Sequence, residues 1–197
     1  MPNLKEWYNS PVQTSSNLSP KICLTAAGFL VENNKVLLVK HRKLGIWLAP
    51  GGHIEEDEMP HKAAEREFWE ETGVKVTALS TQKLLSGTDN SDYYPVPFSV
   101  NLHWISKEIY QRRLASNDPS RRVTDNVWKL GCEQHLVFTY VVKAMGSTKF
   151  HQNIEESDGI GWFGLADLET METIPEVRSE VTWVLENIDK LQPGKAE

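Results

Sequence analysis

The chain has 197 residues, of which 40% are hydrophobic and 24% are charged, and its formal net charge is -6. This length suits one domain, or one domain with a substantial insertion, that buries a sizeable core. The acidic balance argues against duplex nucleic acid and membrane surfaces as charge-driven partners, and the longest apolar run, residues 22–31, is too short to cross a bilayer. Residues 1–20 contain no signal-peptide core, so we expect a cytoplasmic protein.

The first part of the chain predicts two strands and a glycine-rich loop. Residues 1–20 are polar and contain Asn, Ser and Pro, and we expect an arm or a leading strand there. The apolar residues 22–31 and 36–40 predict strands that are joined by a turn at residues 32–35. Residues 50–52, Pro-Gly-Gly, form a loop in which the backbone can approach a ligand closely.

The segment after this loop predicts a helix. Pro60 suits the first turn of a helix, because its missing N–H would have no intrahelical partner there. Residues 61–71 are mostly good helix formers. Gly73 follows at the place where a helix would end in a left-handed cap.

Three carboxylates share one face of this helix, since Glu67, Glu70 and Glu71 are three and four residues apart. They repel one another unless a cation offsets their charge, and Mg2+ is a hard cation that commonly binds a few carboxylates together with substrate phosphates. The alternative is a solvated acidic face, softened by the pair of Arg66 and Glu70. That alternative does not explain why Glu58 and the glycine-rich loop stand at fixed offsets from the helix, so a metal site is favoured.

The second part of the chain predicts further strands and a last helix. The segments with the composition of strands are residues 74–85, 96–105 and 136–142. Residues 136–142 are a continuous β-branched and aromatic run, which suits the interior of a sheet. In residues 175–190, apolar side chains recur every three or four positions, which predicts a helix packed on the core.

Residues 106–133 are a charged segment between two predicted strands, and we interpret them as an insertion with a short helix at residues 107–115. The insertion contains two arginine pairs, Arg112-Arg113 and Arg121-Arg122. One interpretation is a solvated loop. The other is that one pair folds over a site and grips phosphate, which arginine binds in a bidentate manner.

Residues 52–74 read GHIEEDEMPHKAAEREFWEETGV and match the pattern G-x5-E-x7-R-E-U-x-E-E-x-G-U, where U is a bulky apolar residue. The residues at its fixed positions are Gly52, Glu58, Arg66, Glu67, Phe68, Glu70, Glu71, Gly73 and Val74. The segment therefore resembles the box of Nudix hydrolases. A complete set of fixed positions is far more discriminating than a lone glycine pattern.

The resemblance implies a hydrolase that cleaves pyrophosphate bonds in nucleoside diphosphate derivatives. It also implies an α/β fold, a Nudix-type α/β/α sandwich with a mixed β-sheet between helices. Residues 21–192 would form this domain, with the insertion at about 106–133. Residues 1–20 would be an N-terminal arm and residues 193–197 a C-terminal tail.

By resemblance, the box carboxylates hold one or more Mg2+ ions, with Mn2+ as an alternative. The implied ligands are Glu67, Glu70, Glu71 and a backbone carbonyl near Gly51 or Gly52. Glu67 is our first choice for the residue that also orients or deprotonates the attacking water.

Other residues of the box look structural. A salt bridge between Arg66 and Glu58 would tie the loop to the helix and fix the ligands, with Gly52 and Gly73 at the two ends of the motif.

Family members often draw the catalytic base from a distant loop. The resemblance also implies a tryptophan-containing strand at residues 159–163, before the last helix. Glu155 and Glu156, just before that strand, occupy a suitable place for such a residue. We favour Glu156 as a catalytic residue, against the alternative of an exposed acidic loop.

Two histidines and two cysteines complete the candidates. His53 follows the Pro-Gly-Gly loop and His135 begins a predicted strand, so each is a candidate for substrate contact. The alternative for each is a surface or core histidine with no catalytic role. Cys23 and Cys132 are far apart in sequence, and we expect two buried thiols in a reducing compartment that form no ligand pair or redox motif.

The box does not select among oxidised nucleotides, ADP-ribose, dinucleoside polyphosphates, nucleotide sugars and capped RNA. The expected partner is a small nucleotide-type molecule, not duplex nucleic acid or a membrane, and a homodimer is compatible with the sequence. The alternative function is a non-catalytic Nudix-fold sensor or regulator that binds a nucleotide. Such proteins typically lose box carboxylates, all of which are present here. A third possibility is a structural protein, but the spacing of the box residues would then be a coincidence.

Overall fold

The structure is a computed structural model that describes residues 18–82, 84–117 and 131–191. Its strands are β1 (Ile22–Glu32), β2 (Lys35–His41), β3 (Trp47–Leu48), β4 (Gly51–His53), β5 (Val76–Ala78), β6 (Ser99–Trp104), β7 (Gln134–Ala144) and β8 (Ser157–Phe163). Its helices are α1 (Pro60–Thr72), α2 (Lys107–Ala115), α3 (Pro175–Leu191) and a 3-10 helix (Leu165–Glu169). The predicted helices at residues 61–71, 107–115 and 175–190 are confirmed. No helix in the described part of the chain is long and apolar enough to span a membrane.

Two strands are shorter than predicted. The strand expected at residues 74–85 is only β5, because the Ser80 hydroxyl accepts hydrogen bonds from the backbone N–H groups of Gln82 and Val96. These side-chain bonds replace strand pairing beyond β5. The strand expected at residues 96–105 begins only at Ser99. The segment before it contains two prolines, which have no N–H to donate to a neighbouring strand.

The strands form a mixed sheet with flanking helices, as predicted. The order along the sheet is β3-β2-β1-β7-β5, with β4 paired to β1, β6 to β7 and β8 to β2. The pairs β1–β2, β1–β4, β2–β3, β2–β8 and β5–β7 are antiparallel. The register of β4 on β1 places Gly51 opposite Ala27 and Gly52 opposite Ala26.

The two faces of the sheet bury separate hydrophobic clusters, because successive residues of a strand point to opposite sides. On β7, Tyr140 and Val142 join the cluster that contains Phe68 of α1. Val141, between them, joins the cluster that contains Val181 of α3. The continuous apolar run in β7 therefore serves two cores, and α1 is fixed on one face of the sheet.

The chain divides into two compact units. The larger comprises residues 24–101 and 136–197 and contains both hydrophobic clusters described above. The smaller comprises residues 1–23 and 102–135, and in its described part Arg113 of α2 forms a buried ion pair with Glu133. Glu133 also accepts a hydrogen bond from the backbone N–H of Lys21.

Candidate active site on helix α1

Helix α1 carries the box residues, and its ends are determined locally. Pro60 stands in its first turn, and no side chain caps its N-terminus. At its C-terminus, Gly73 has a φ of 71° and its N–H donates to the carbonyl of Trp69. Only glycine adopts this left-handed conformation at little cost. Ala63 and Phe68 are fully buried, so the helix lies flat on the sheet with a fixed rotation about its axis.

Strand β4 lies directly against the acidic face of α1. The backbone N–H of Gly51 donates to Glu71 at 3.1 Å. A Cβ atom at Gly52 would overlap the Glu67 carboxylate, so this carboxylate packs against bare backbone. A side chain at position 52 would therefore push Glu67 aside. The Pro-Gly-Gly loop predicted to approach a ligand is instead seen to approach the carboxylates themselves.

Arg66 connects the loop before α1 to the acidic face of the helix. Its guanidinium donates to both oxygens of Glu58, at 2.9 and 2.8 Å, and to the backbone carbonyl of His53 at 2.9 Å. The expected salt bridge between Arg66 and Glu58 is therefore present. Arg66 also contacts Glu67 at 2.8 Å and Glu70 at 3.0 Å. These hydrogen bonds, above all the one to Glu58, raise the pKa of Arg66 and keep it charged.

Two carboxylates on this face, Glu67 and Glu71, resist ionisation. Burial raises the pKa of Glu71 to about 8, and the charges of Glu67, Glu156 and Glu70 add to this rise against the opposing hydrogen bond from the Gly51 N–H. Burial also raises the pKa of Glu67, against the attraction of Arg66. A single arginine does not neutralise this acidic cluster.

Glu156 reaches the same cluster from a segment remote in sequence. Its charge contributes to the raised pKa of both Glu67 and Glu71. The segment before it docks on the end of α1, where the N–H of Asn153 donates to the carbonyl of Glu71 at 3.3 Å. The side-chain amide of Asn153 donates to the carbonyl of Glu70 at 3.4 Å. The structure therefore places Glu156 close to the box.

The donor set of this face fits a hard divalent cation. Its ligand atoms are carboxylate oxygens, and Glu71 is 9% exposed while its pKa is raised. A divalent cation favours the ionised form of these groups and offsets their repulsion, and carboxylate oxygen is the donor that Mg2+ and Mn2+ prefer. The residues present are Glu67, Glu70 and Glu71, with Glu156 within electrostatic reach.

The remaining candidates have different surroundings. His53 is exposed at the end of β4, next to the glycine loop. Arg112 pairs with Glu108 on the exposed side of α2. Arg113 does not support the expectation of phosphate contact, because its guanidinium is 2% exposed and is bound to Glu133. The second arginine pair, Arg121-Arg122, lies outside the described residues.

His135 lies in the smaller unit, together with Cys23 and Cys132. The geometry does not support the expectation that the two cysteines form no ligand pair, since ligand atoms of all three residues lie within 4.8 Å of one another. Cys132 is also only partly buried. Spacing along the chain could not show this pair, because the two segments meet through long-range pairing between Lys21 and Gln134.

Sequence reasoning also missed two contacts of the active-site cluster. Asn153, whose backbone and side chain hold the segment of Glu156 on α1, belongs to a polar loop with no pattern of its own. The contact of Arg66 with Glu67 joins adjacent residues, which helical spacing rules do not place side by side. The ion pair of Arg66 and Glu70 could be predicted, because residues four apart on a helix lie side by side.

Comparison with known proteins identifies the class. The model of the NUDIX domain family matches residues 24–183. A MutT-like protein of Streptomyces ambofaciens is 40% identical over 70 residues, which are 35% of this chain and 45% of that protein. This chain therefore matches less than half the length of that relative.

Two solved structures show the same fold. A hydrolase of the NUDIX family from Clostridium perfringens has a TM-score of 0.56 at 23% identity, over 89% of this chain and 100% of that chain. The MutT protein from Methanosarcina mazei Go1 has a TM-score of 0.53 at 16% identity, over 88% of this chain and 99% of that one. The chain belongs to the NUDIX family, as its box predicted, and has the α/β fold of that family.

Proposed function

We propose that this protein is a metal-dependent hydrolase that cleaves the pyrophosphate bond of a nucleoside diphosphate linked to another moiety. The observation that carries this proposal is that Glu67 and Glu71 lie against the backbone of β4, while Arg66 joins Glu70 to Glu67. Membership of a family whose members generally use a divalent metal ion supports it. Among the cations that suit these ligands we propose Mg2+, with Mn2+ as a substitute.

The chemistry of the bond explains why such a cluster is needed. A pyrophosphate resists attack because its oxygens are negative, and a divalent ion when bound would neutralise that charge and lower the pKa of a water. Glu67, Glu70 and Glu71 would hold the ion, with the carbonyl of Gly51 as a further ligand. Arg66 is a positioning residue, because it fixes Glu67 and Glu70 relative to the loop.

Two glutamates are candidates for the residue that accepts the proton of the attacking water. Glu67 packs against the loop backbone, and burial raises its pKa, which moves a carboxylate towards the range of a general base. Glu156 is exposed but close enough to act on Glu67 and Glu71 electrostatically. We propose Glu67 as the base, and Glu156 as a second acidic group that helps to order water or metal.

The substrate is proposed at the level of a class, a small nucleotide-type molecule. The family assignment supports this class. The described residues give no ground for choosing one nucleotide derivative over another, so the first experiment is a panel of them.

The experiment is a phosphate-release assay on the purified full chain. Oxidised nucleotides, ADP-ribose, dinucleoside polyphosphates and nucleotide sugars are incubated with Mg2+ and a coupling pyrophosphatase or phosphatase. We expect hydrolysis of at least one class, loss of hydrolysis in EDTA and recovery with Mg2+ or Mn2+. Glu70→Gln should lower turnover by orders of magnitude. Glu56→Gln, the same change at an exposed position before α1, is the matched control and should turn over normally.

Two results would overturn the proposal. One is full hydrolysis in a rigorously metal-free preparation. The other is nucleotide binding, measured by calorimetry, with no turnover on any member of the panel, which would favour the sensor function instead.

A further inference from the structure

The smaller unit contains a cluster of soft ligands that the hydrolase chemistry does not use. Cys23 on β1, Cys132 before β7 and His135 at the start of β7 each offer one ligand atom, and these atoms lie within 4.8 Å of one another. Cys23 is 1% exposed, and the Nε2 atom of His135 is buried. The cluster therefore combines one buried thiol with a partly buried thiol and a partly buried imidazole.

The scaffold around these residues is rigid and specific. The N–H of Gln134 donates to the carbonyl of Lys21 at 3.1 Å, and the N–H of Lys21 donates to the Glu133 carboxylate at 2.9 Å. The same carboxylate is held at 2.9 Å by the buried guanidinium of Arg113. Glu133 directly follows Cys132 and stands two residues before His135, so these bonds fix the backbone that carries both ligands. A site built this way does not have to be ordered by the metal alone.

The donor atoms match a zinc-type metal. Zn2+ binds thiolate sulfur at about 2.3 Å and imidazole nitrogen at about 2.0 Å in tetrahedral geometry. Ligand atoms in such a site are roughly 3.5 to 3.8 Å apart. Atoms within 4.8 Å of one another therefore reach this geometry by side-chain movements on the order of 1 Å. A hard cation such as Mg2+ prefers oxygen and does not select these ligands.

We propose that Cys23, Cys132 and His135 form a binding site for Zn2+ or a similar transition-metal ion. This site has soft donors and belongs to the smaller unit, whereas the carboxylate cluster of α1 belongs to the larger unit. Its role is structural: it joins the chain at β1 to the segment that leads into β7.

The test uses Co2+ as a spectroscopic probe for Zn2+ on the reduced, full-length protein. We expect the first equivalent of Co2+ to give a thiolate-to-cobalt charge-transfer band in the near ultraviolet, which one equivalent of Zn2+ abolishes. Cys132→Ala should remove the band and His135→Asn should weaken binding at least tenfold. His151→Asn, an exposed histidine in the larger unit, is the matched control and should bind Co2+ like the unmodified protein. Glu70→Gln should also keep the band.

A second measurement needs no variant. In the unmodified protein, Zn2+ should protect both cysteines from alkylation, and a chelator should restore their reaction, as read by mass spectrometry. Absence of the charge-transfer band together with absence of protection would overturn the proposal. So would a band that persists in the Cys23→Ala, Cys132→Ala double variant. Ready formation of a disulfide by a protein that binds no metal would also overturn it, because the pair would then be a redox site.

Discussion

Glu71 is 9% exposed, accepts the N–H of Gly51, and sits among three other acidic side chains. Its position explains why a carboxylate that we propose as a metal ligand is also a source of instability in the metal-free protein. In the protein without metal, the ionised form is disfavoured by burial first and by neighbouring charge second. The stability of the metal-free protein should therefore depend on pH through this group.

The sign of this dependence follows from the two pKa values. The folded protein holds the Glu71 proton up to about pH 8, whereas the unfolded chain loses it near 4.5. Stability from this group is fully present below 4.5 and is lost as pH rises towards 8. In EDTA, the free energy of unfolding of the unmodified protein should fall relative to Glu71→Gln across this range, by roughly 2 to 4 kcal/mol. Urea melts at several pH values measure the difference, and a difference that does not vary with pH would contradict the assignment.

A second prediction at the residue scale separates scaffold from chemistry. Glu58→Gln removes the charge that receives two hydrogen bonds from Arg66, so it should cost about 1 to 3 kcal/mol of stability and lower activity as well. Glu67→Gln should abolish activity but leave the metal-free melting temperature unchanged or higher, because burial already disfavours its charge. Thermal melts in EDTA beside activity with Mg2+ compare the two variants. An easily unfolded Glu67→Gln beside an inert Glu58→Gln would reverse these roles.

Strand β4 contains two adjacent glycines, and each of them is constrained by a different neighbour. A Cβ at position 51 would overlap the carbonyl oxygen of Ala26 and the Cα of Ala27, which are backbone atoms of β1. A Cβ at position 52 would overlap only the flexible end of Glu67. The two positions therefore offer a matched pair of substitutions.

We expect Gly51→Ala to lower the melting temperature in EDTA, because backbone in a paired strand cannot move aside at little cost. Gly52→Ala should change the melting temperature much less but reduce turnover at least tenfold, because it displaces Glu67. Melting temperature and Mg2+-dependent activity, measured on both variants, provide the test. Equal loss of stability in the two would show that position 52 also serves the strand pairing.

The elements also show what the sequence could predict. The spacing of Glu67, Glu70 and Glu71 predicted a shared helical face because helical geometry is local. The place of Glu156 followed from resemblance, and the contacts of Asn153 that hold it could not be derived from spacing. β5 ends earlier than predicted, because the Ser80 hydroxyl accepts hydrogen bonds from backbone N–H groups in place of strand pairing. Side-chain competition of this kind leaves no periodic signal.

At the scale of the whole molecule, the charged insertion buries one arginine of an adjacent pair and exposes the other. One interpretation of the insertion was that either Arg112-Arg113 or Arg121-Arg122 grips phosphate as a pair, but the side chains of Arg112 and Arg113 have opposite environments. Arg113 is 2% exposed and Glu133 is fully buried, whereas Arg112 and Glu108 are exposed. Adjacent residues on a helix point in different directions, so a pair in sequence is not a pair in space.

Single substitutions of Arg113 and Arg112 should therefore have different effects. Arg113→Ala leaves Glu133 buried without its cation and should destabilise the protein by about 3 to 5 kcal/mol. Arg112→Ala removes an exposed pair and should cost less than about 1 kcal/mol. Denaturant unfolding measures both. KM for the best substrate, measured at low salt, tests whether Arg112 retains a role in substrate binding, and an unchanged KM would remove it.

The sheet with a separate core on each face implies a hierarchy of opening rates. Amides of Val36–Val39 on β2 and Tyr140–Val142 on β7 lie in central strands whose side chains are 0 to 3% exposed. In heavy water they should exchange last and at a common rate, because only global opening of the larger unit uncovers them. The amides of the two-residue strand β3, at one end of the sheet order, should exchange earlier through local fraying. The slowest amides would thus report directly on the free energy of unfolding, and Mg2+ should slow them further if its ligands lie on the same unit.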